Sequence, residues 1–112
     1  MKRAAKTAER RTIAEIKRVI VGKFAPEQLL LFGSRAKGTA SADSDYDFAV
    51  IVADGQDPWR LMIDIRMALL GLRVPIDVLV FESSRWESWS NCNVTTEHAI
   101  RSSAKELYRA TA

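Results

Sequence analysis

An unbroken apolar run directly after two acidic residues is the feature that most constrains how this chain folds. From Asp45 to Ala53 the sequence reads Asp-Tyr-Asp-Phe-Ala-Val-Ile-Val-Ala, without glycine or proline, and the turn signal Asp54-Gly55 follows. A short run that stays apolar at both odd and even positions is typical of a strand buried on both faces of a sheet. The sequence therefore predicts a sheet covered by helices.

The segments on either side of this run predict the other elements. Apolar residues at helical spacing indicate an amphipathic helix from about Thr7 to Phe24, with a capping box at Thr12 as its firm start. Further along, the pattern indicates a buried strand Gln28 to Phe32, a helix from the Asp57-Pro58 start to Gly71, and a strand Val74 to Phe81.

The last quarter of the chain is predicted to be helical. A short helix carries Trp86 and Trp89, and a C-terminal helix presents one apolar face made of Ile100, Ala104, Leu107 and Tyr108. The order is then α-β-loop-β-α-β-α-α. This predicts a single domain over residues 1–112 of the α/β (α+β) class, a small mixed sheet flanked by helices. Core packing is the expected role of the tryptophans, Trp59 included; if exposed, Trp86 and Trp89 would mark a partner surface.

Charge and composition narrow the range of partners. The formal net charge is +3, and many of the cations lie in the first helix, where they indicate either a nucleic-acid contact or a solvated helix face. Because no aromatic residues alternate with these cations, we favour the solvated face and expect no nucleic-acid partner. No apolar stretch has the length of a signal peptide core or a membrane span. The lone Cys92 has no partner for a disulfide, which favours a reducing, cytoplasmic location.

Three aspartates are the candidate metal ligands. Side chains alternate along a strand, so Asp45 and Asp47 point to the same face, where their charges repel unless a cation lies between them. Asp77 interrupts the apolar strand Val74 to Phe81, and a carboxylate there is costly unless it has a partner. That partner is either Mg²⁺, if the two strands are neighbours, or backbone N–H groups or an arginine.

A glycine loop precedes the acidic pair. It reads Gly33-Ser34-Arg35-Ala36-Lys37-Gly38, and the N–H groups of a short helix starting at Ser34 can bind phosphate oxygens. The spacing of the two glycines is that of a P-loop, but Thr39 replaces the required lysine, which excludes that motif. Arg35 either contacts a phosphate or pairs with a nearby acid.

Together, the loop and the following Ser44-Asp45-Tyr46-Asp47-Phe48-Ala49-Val50 resemble the signature of the polymerase-beta-type nucleotidyltransferases. The short chain is most similar to minimal nucleotidyltransferases (MNT proteins), which are paired with HEPN-domain partners in toxin–antitoxin operons. The resemblance covers nearly the whole chain, and it extends less specifically to a tail helix over residues 93–108.

The resemblance implies a role for each of these residues. Gly33 and Ser34 would hold the NTP phosphates, with Arg35 and Lys37 beside them. Asp45, Asp47 and Asp77 would bind Mg²⁺ in a two-metal site, and Asp77 would help deprotonate the attacking hydroxyl. Lys37 replaces a common arginine, which keeps the charge but not the planar fork.

The implied activity is transfer of a nucleotide, AMP from ATP in the resembling antitoxins, to a hydroxyl of a HEPN toxin. A chain without room for an acceptor domain fits a protein acceptor. Two alternatives stay open: an antitoxin that acts by occlusion without catalysis, and transfer to a small hydroxylated substrate. Assembly with a second copy or with another chain is also open.

Overall fold

A computed structural model describes residues 2–111 of the protein. Its helices and strands, in chain order, are α1 (Lys2–Phe24), β1 (Gln28–Phe32), α2 (Ser34–Lys37), β2 (Tyr46–Val52), α3 (Pro58–Leu69), a 3-10 turn (Leu70–Leu72), β3 (Ile76–Glu82), α4 (Ser83–Ser90), α5 (Thr96–Ser103) and β4 (Lys105–Arg109). None of these helices is long and apolar enough to cross a membrane.

One mixed sheet organises the described part of the chain. Its strand order is β3-β2-β1-β4. Strands β2 and β3 are parallel, whereas β1 is antiparallel to both of its neighbours. The predicted mixed sheet flanked by helices is confirmed, and the predicted central strand does lie between two others.

Helices cover both faces of this sheet. On one face, here called the α1–α3 face, Phe48 and Val50 of β2 pack with Ile16 of α1 and Ile65 of α3. On the other, the α4–α5 face, alternate residues of β2 pack beneath Trp86 of α4 and Ile100 of α5. Because β2 is buried on both sides, its side chains are apolar at nearly every position.

The start of the first helix differs from the prediction. Helix α1 begins by Lys2, so Thr12 is an interior residue and forms no capping box. Its hydroxyl donates to the carbonyl of Ala8, the back-bond that threonine makes inside a helix, and Glu15 pairs with Arg18 instead of a cap. The good helix formers before Thr12 extend the helix upstream of the predicted start.

The start of α3 is as predicted. Asp57 caps it, because its Oδ1 accepts the backbone N–H groups of Trp59 and Arg60. Its apolar face is anchored by buried Ile65 and Leu69.

The predicted C-terminal helix over residues 93–108 is wrong beyond Ser103. The chain forms β4 instead, which pairs antiparallel with β1 and covers its free edge. The register shifts between Leu29 and Leu30, and Leu107 falls inside this irregularity, so Leu107 and Tyr108 both reach the α1–α3 core. The adjacent residues Leu107 and Tyr108 thus share one face because of the bulge, and this gives them the spacing expected of a helix.

Of the tryptophans predicted to pack in the core, only one does. Trp86 is buried and stacks near Phe81, whereas Trp89 is half exposed beneath the guanidinium of Arg85. Trp59 is 70% exposed on α3. The core prediction is therefore wrong for Trp59 and Trp89, whose positions on their helices face away from the sheet.

Candidate functional site

The sheet brings two of the predicted acids side by side. Asp47 of β2 pairs directly with Asp77 of the parallel neighbour β3. Both point to the α4–α5 face, since the alternate residues Ala49 and Leu79 belong to the core on that side. Asp45 lies just before β2, is exposed, and is near enough for its charge to act on Asp47.

Burial and like charge act together on Asp47. Desolvation raises the pKa of the Asp47 carboxyl above its usual range, and the negative charges of Asp77 and Asp45 raise it further. The three carboxylates thus form one acidic cluster at the N-terminal end of β2 and β3. Such a cluster stabilises a bound cation and is destabilised without one.

Gly33 makes room for the Asp47 carboxylate. A Cβ at Gly33 would lie 2.3 Å from Oδ2 of Asp47, a distance that real structures do not tolerate. The backbone of Gly33 has φ 74° and ψ −157°, a conformation open essentially to glycine alone. The lack of space beside the Asp47 side chain and the backbone conformation of Gly33 therefore both require glycine at this position.

The loop after Gly33 forms the short helix that the sequence predicts. Helix α2 runs from Ser34 to Lys37 and is capped by Gly38, which has a left-handed backbone and whose N–H donates to the carbonyl of Ser34. The N–H groups of Ala36 and Lys37 donate to the carbonyl of Gly33, which closes the turn. Ser34 follows directly on the glycine that contacts Asp47, and Lys37 extends its charge into solvent.

Arg35 lies on the other side of the sheet. Its guanidinium donates to Glu9 at 2.8 Å and to the carbonyl of Ser44 at 2.9 Å, and it stacks 4.1 Å above the ring of Tyr46. Tyr46 belongs to the α1–α3 core, whereas Asp47 points to the opposite face. Of the two roles left open by the sequence, the structure therefore favours the ion pair over a phosphate contact for Arg35.

We expect Arg35→Ala to lower the free energy of unfolding by about 2 kcal/mol, because it removes a partly buried ion pair between α1 and α2 and the hydrogen bond to the Ser44 carbonyl before β2. Lys37 is an exposed cation on the same helix, so Lys37→Ala should change the free energy of unfolding little. Urea unfolding measures both variants. Unchanged stability of Arg35→Ala, together with weakened ATP binding, would show instead that Arg35 contacts a phosphate.

The sequence did not reveal Arg66 as a member of this cluster. Its guanidinium donates to Oδ1 of Asp77 at 2.6 Å and to the carbonyl of Val78 at 3.4 Å. Arg66 belongs to α3 and borders β3, the edge strand of the sheet. No spacing in the sequence signals this contact, which depends on how α3 packs beside β3.

The donor set suits a hard divalent cation. Carboxylate oxygens are the ligands that Mg²⁺ prefers, and Asp45, Asp47 and Asp77 lie at the same end of β2 and β3, where burial and the two neighbouring charges raise the pKa of Asp47. Within residues 2–111, however, no three acidic, histidine or cysteine side chains are grouped closely enough to hold a metal ion as they stand. The residues fit such an ion if their side chains move, with Asp77 released from Arg66.

A groove of about 600 Å³ lies elsewhere, between α4, α5 and the strands β1, β2 and β4, and is lined in part by Trp86, Ser90 and Arg101. It borders Gln28 at the opposite end of β1 from Gly33. It contains none of the predicted site residues. The acidic cluster is the better candidate for the functional site, because its carboxylates can bind a cation, whereas the groove is distinguished only by its volume.

Comparison with known proteins agrees with the geometry. The family model described as "Polymerase beta, Nucleotidyltransferase" matches residues 14–108, which include the glycine loop and all three aspartates. The chain belongs to this nucleotidyltransferase family. Transfer of a nucleotidyl group is the activity that this membership supports, and the fold and family expected from the sequence are confirmed. No curated protein matches the chain.

Solved structures share the fold of this nucleotidyltransferase domain. A Sulfolobus solfataricus protein described as a nucleotidyltransferase superposes with a TM-score of 0.68 at 16% identity, over 95% of this chain and 85% of the other. A toxin–antitoxin structure with AMP-PNP matches with a TM-score of 0.51 at 23% identity, over 90% and 73%. A variant of the toxin–antitoxin pair MntA-HpeT gives 0.53 at 22% identity, over 91% and 73%.

Proposed function

We propose that this domain transfers AMP from ATP to a hydroxyl group of a partner protein, with Mg²⁺ bound by Asp45, Asp47 and Asp77. The observation that carries the proposal is the pairing of Asp47 with Asp77 on adjacent parallel strands, with Gly33 packed against the Asp47 carboxylate. Family membership supports nucleotidyl transfer, and the AMP-PNP in one structure of the same fold supports an adenine nucleotide.

The acidic cluster would supply the metal site. Two bound Mg²⁺ ions neutralise charge on the attacking and leaving oxygens in transfers of this type. Asp45 and Asp47 would hold the ions, and Asp77 would share one of them. Burial raises the pKa of Asp47, and the charges of Asp77 and Asp45 raise it further, so a bound cation would relieve the repulsion among the three carboxylates.

The glycine loop would position the triphosphate. Gly33 permits close approach of the backbone beside Asp47. The N–H groups of Ser34 and Arg35, which precede those that donate to the Gly33 carbonyl, would bind phosphate oxygens together with the hydroxyl of Ser34. Lys37, exposed at the end of α2, adds a positive charge on this side. The side chain of Arg35 is left out of the proposed phosphate contacts because it is engaged with Glu9.

The proposed chemistry is a single in-line displacement. The acceptor oxygen forms a bond to the α-phosphorus, and the bond from that phosphorus to the pyrophosphate oxygen breaks. The proton of the acceptor hydroxyl passes toward the Asp77 carboxylate, and pyrophosphate carries away the charge of the leaving group. The protein contributes mainly position and electrostatic stabilisation.

A partner protein is the proposed acceptor because α3 presents an apolar surface. Trp59, Ile63 and Met67 of α3, with Leu70 of the following 3-10 turn, recur at helical spacing opposite the core face of α3. Trp59, Met67 and Leu70 are each more than 60% exposed. Exposed apolar patches of this kind mark protein interaction sites. The toxin–antitoxin complexes of the same fold support a toxin partner, for which we propose a HEPN-type protein.

Labelled ATP tests the proposal directly. The domain is incubated with Mg²⁺, a co-encoded partner or cell extract, and ATP labelled at either the α- or the γ-phosphate. We expect a single protein band to carry the α-label only, and to lose it when EDTA is added. Labelling from γ-labelled ATP would indicate phosphoryl transfer. Partner binding without any label would favour inhibition by occlusion.

We expect Met67→Glu to reduce labelling of the partner at least tenfold, because it buries a charge in the proposed contact. Mg-ATP binding should not change, since Met67 lies on the solvent face of α3. Val94→Glu, which adds the same charge at an exposed apolar residue outside α3, is the matched control. Equal labelling of the Met67 and Val94 variants would exclude α3 as the contact.

A further inference from the structure

The carboxylates of Asp47 and Asp77 lie on the same face of the sheet but are directed away from each other across it, although their backbones are paired. Oδ2 of Asp47 lies against Gly33, which follows β1, whereas Oδ1 of Asp77 accepts from Arg66 on α3. Strands β1 and β3 flank β2 on opposite sides. The contact with Arg66 therefore draws the third acid away from the other two.

Arg66 is held in place by the packing of its helix. Ile65, its neighbour, is fully buried, and Leu69 one turn later is almost so, which fixes α3 against the sheet. The guanidinium of Arg66 also donates to the carbonyl of Val78, so two acceptors on β3 orient it. The hydrogen bond from Arg66 to Asp77 is charge-assisted and 2.6 Å long, although both side chains are about half exposed.

We propose that Arg66 and a metal ion compete for Asp77, so that Arg66 is a positioning residue that sets the metal affinity of the site. The inference rests on the proposed function. A metal ion can bind Asp77 only if the carboxylate first gives up its hydrogen bond with the Arg66 guanidinium. The positive charge of Arg66 also repels the approaching metal ion. Removing Arg66 should therefore tighten metal binding.

The chain offers a matched control on the same helix. Arg60 also pairs with an aspartate, Asp64, at 3.4 Å, and both side chains are about as exposed as those of Arg66 and Asp77 or more so. That pair has no contact with the acidic cluster. Arg60→Gln removes a positive charge and an ion pair from α3 without freeing a proposed ligand.

Mn²⁺ binding, followed by electron paramagnetic resonance in the absence of nucleotide, tests the inference. We expect Arg66→Gln to bind Mn²⁺ up to about fivefold more tightly than the wild type, the range expected of an exposed ion pair. Arg66→Lys should give an intermediate affinity, because it keeps the charge but loses the oriented fork. Arg60→Gln should match the wild type.

A double-mutant cycle with Asp77→Asn separates a specific effect from a general change of charge. If Arg66 acts through Asp77, Arg66→Gln should not tighten Mn²⁺ binding in the Asp77→Asn background. Unchanged or weaker binding by Arg66→Gln in the wild-type background would overturn this inference alone. Absence of Mn²⁺ binding in the wild type and in Arg66→Gln alike would overturn it together with the metal site of the proposed function.

Discussion

Asp47→Asn is expected to reduce nucleotidyl transfer at least about a hundredfold while the domain stays folded. Even residues that merely orient metal ligands cost 10- to 100-fold when they are replaced, so loss of a proposed ligand should cost more. Asparagine keeps the shape of the side chain and the close fit against Gly33. It removes only the charge, which is what the proposed metal site requires of Asp47.

The same variant should be more stable than the wild type at neutral pH when metal has been removed by a chelator. Burial, with the charges of Asp77 and Asp45, raises the pKa of Asp47, so the folded protein holds this proton more tightly than the unfolded chain. Wild-type stability therefore falls as pH rises from about 3.9 through the raised pKa. Asparagine cannot titrate, so the variant lacks this fall.

Label transfer from ATP and thermal unfolding from pH 3 to pH 8 check both halves of this prediction. Asp43→Asn, at an exposed acid in the preceding loop, controls for loss of one negative charge. Transfer by Asp47→Asn at the wild-type rate would remove Asp47 from the metal site. A stability gain equal to that of Asp43→Asn would show that general charge, not the local cluster, is responsible.

The features predicted correctly from the sequence depend on local chemistry. The apolar run after Asp47 predicts a strand buried on both faces, because no exposed strand tolerates that composition. The Asp57-Pro58 start fixes the beginning of α3 through a side-chain cap. The common face expected for Asp45 and Asp47 stays a prediction, because β2 begins at Tyr46 and Asp45 precedes it. Each of these inferences needs only a few neighbouring residues.

The features that the sequence did not predict depend on contacts between distant segments. Leu107 and Tyr108 have helical spacing with Ile100, but they belong to β4, which pairs with the open edge of β1. The β-bulge in this pairing accounts for their spacing. Arg66 contacts Asp77, which lies eleven residues later in the sequence, because α3 packs beside the edge strand β3. Arg35 stands beside the phosphate-binding candidates in sequence, but its side chain points to the other face.

Gly33→Ala is expected to be the most destabilising single substitution in the glycine loop, at about 3 kcal/mol. Part of the cost is the backbone at φ 74° and ψ −157°, which a residue with a Cβ adopts at a cost of about 1–3 kcal/mol. The rest is overlap of the new methyl group with Oδ2 of Asp47 at 2.3 Å. Relief of that overlap would displace the carboxylate, and a shift of about 1 Å at a reacting group can reduce the rate about a hundredfold.

Two comparisons separate these contributions, both by urea unfolding. Gly38→Ala, at φ 78° but with no atom within 4 Å of its added Cβ, carries left-handed strain without the overlap, and should cost only about 1–2 kcal/mol. In an Asp47→Ala background, Gly33→Ala should cost about 1 kcal/mol less than in the wild type, because the clashing oxygen is gone. Equal costs in the two backgrounds would mean that Gly33 serves the backbone alone. A reduced cost would show that glycine at this position is required by the acid it contacts, so that the loop and the acidic cluster form one site.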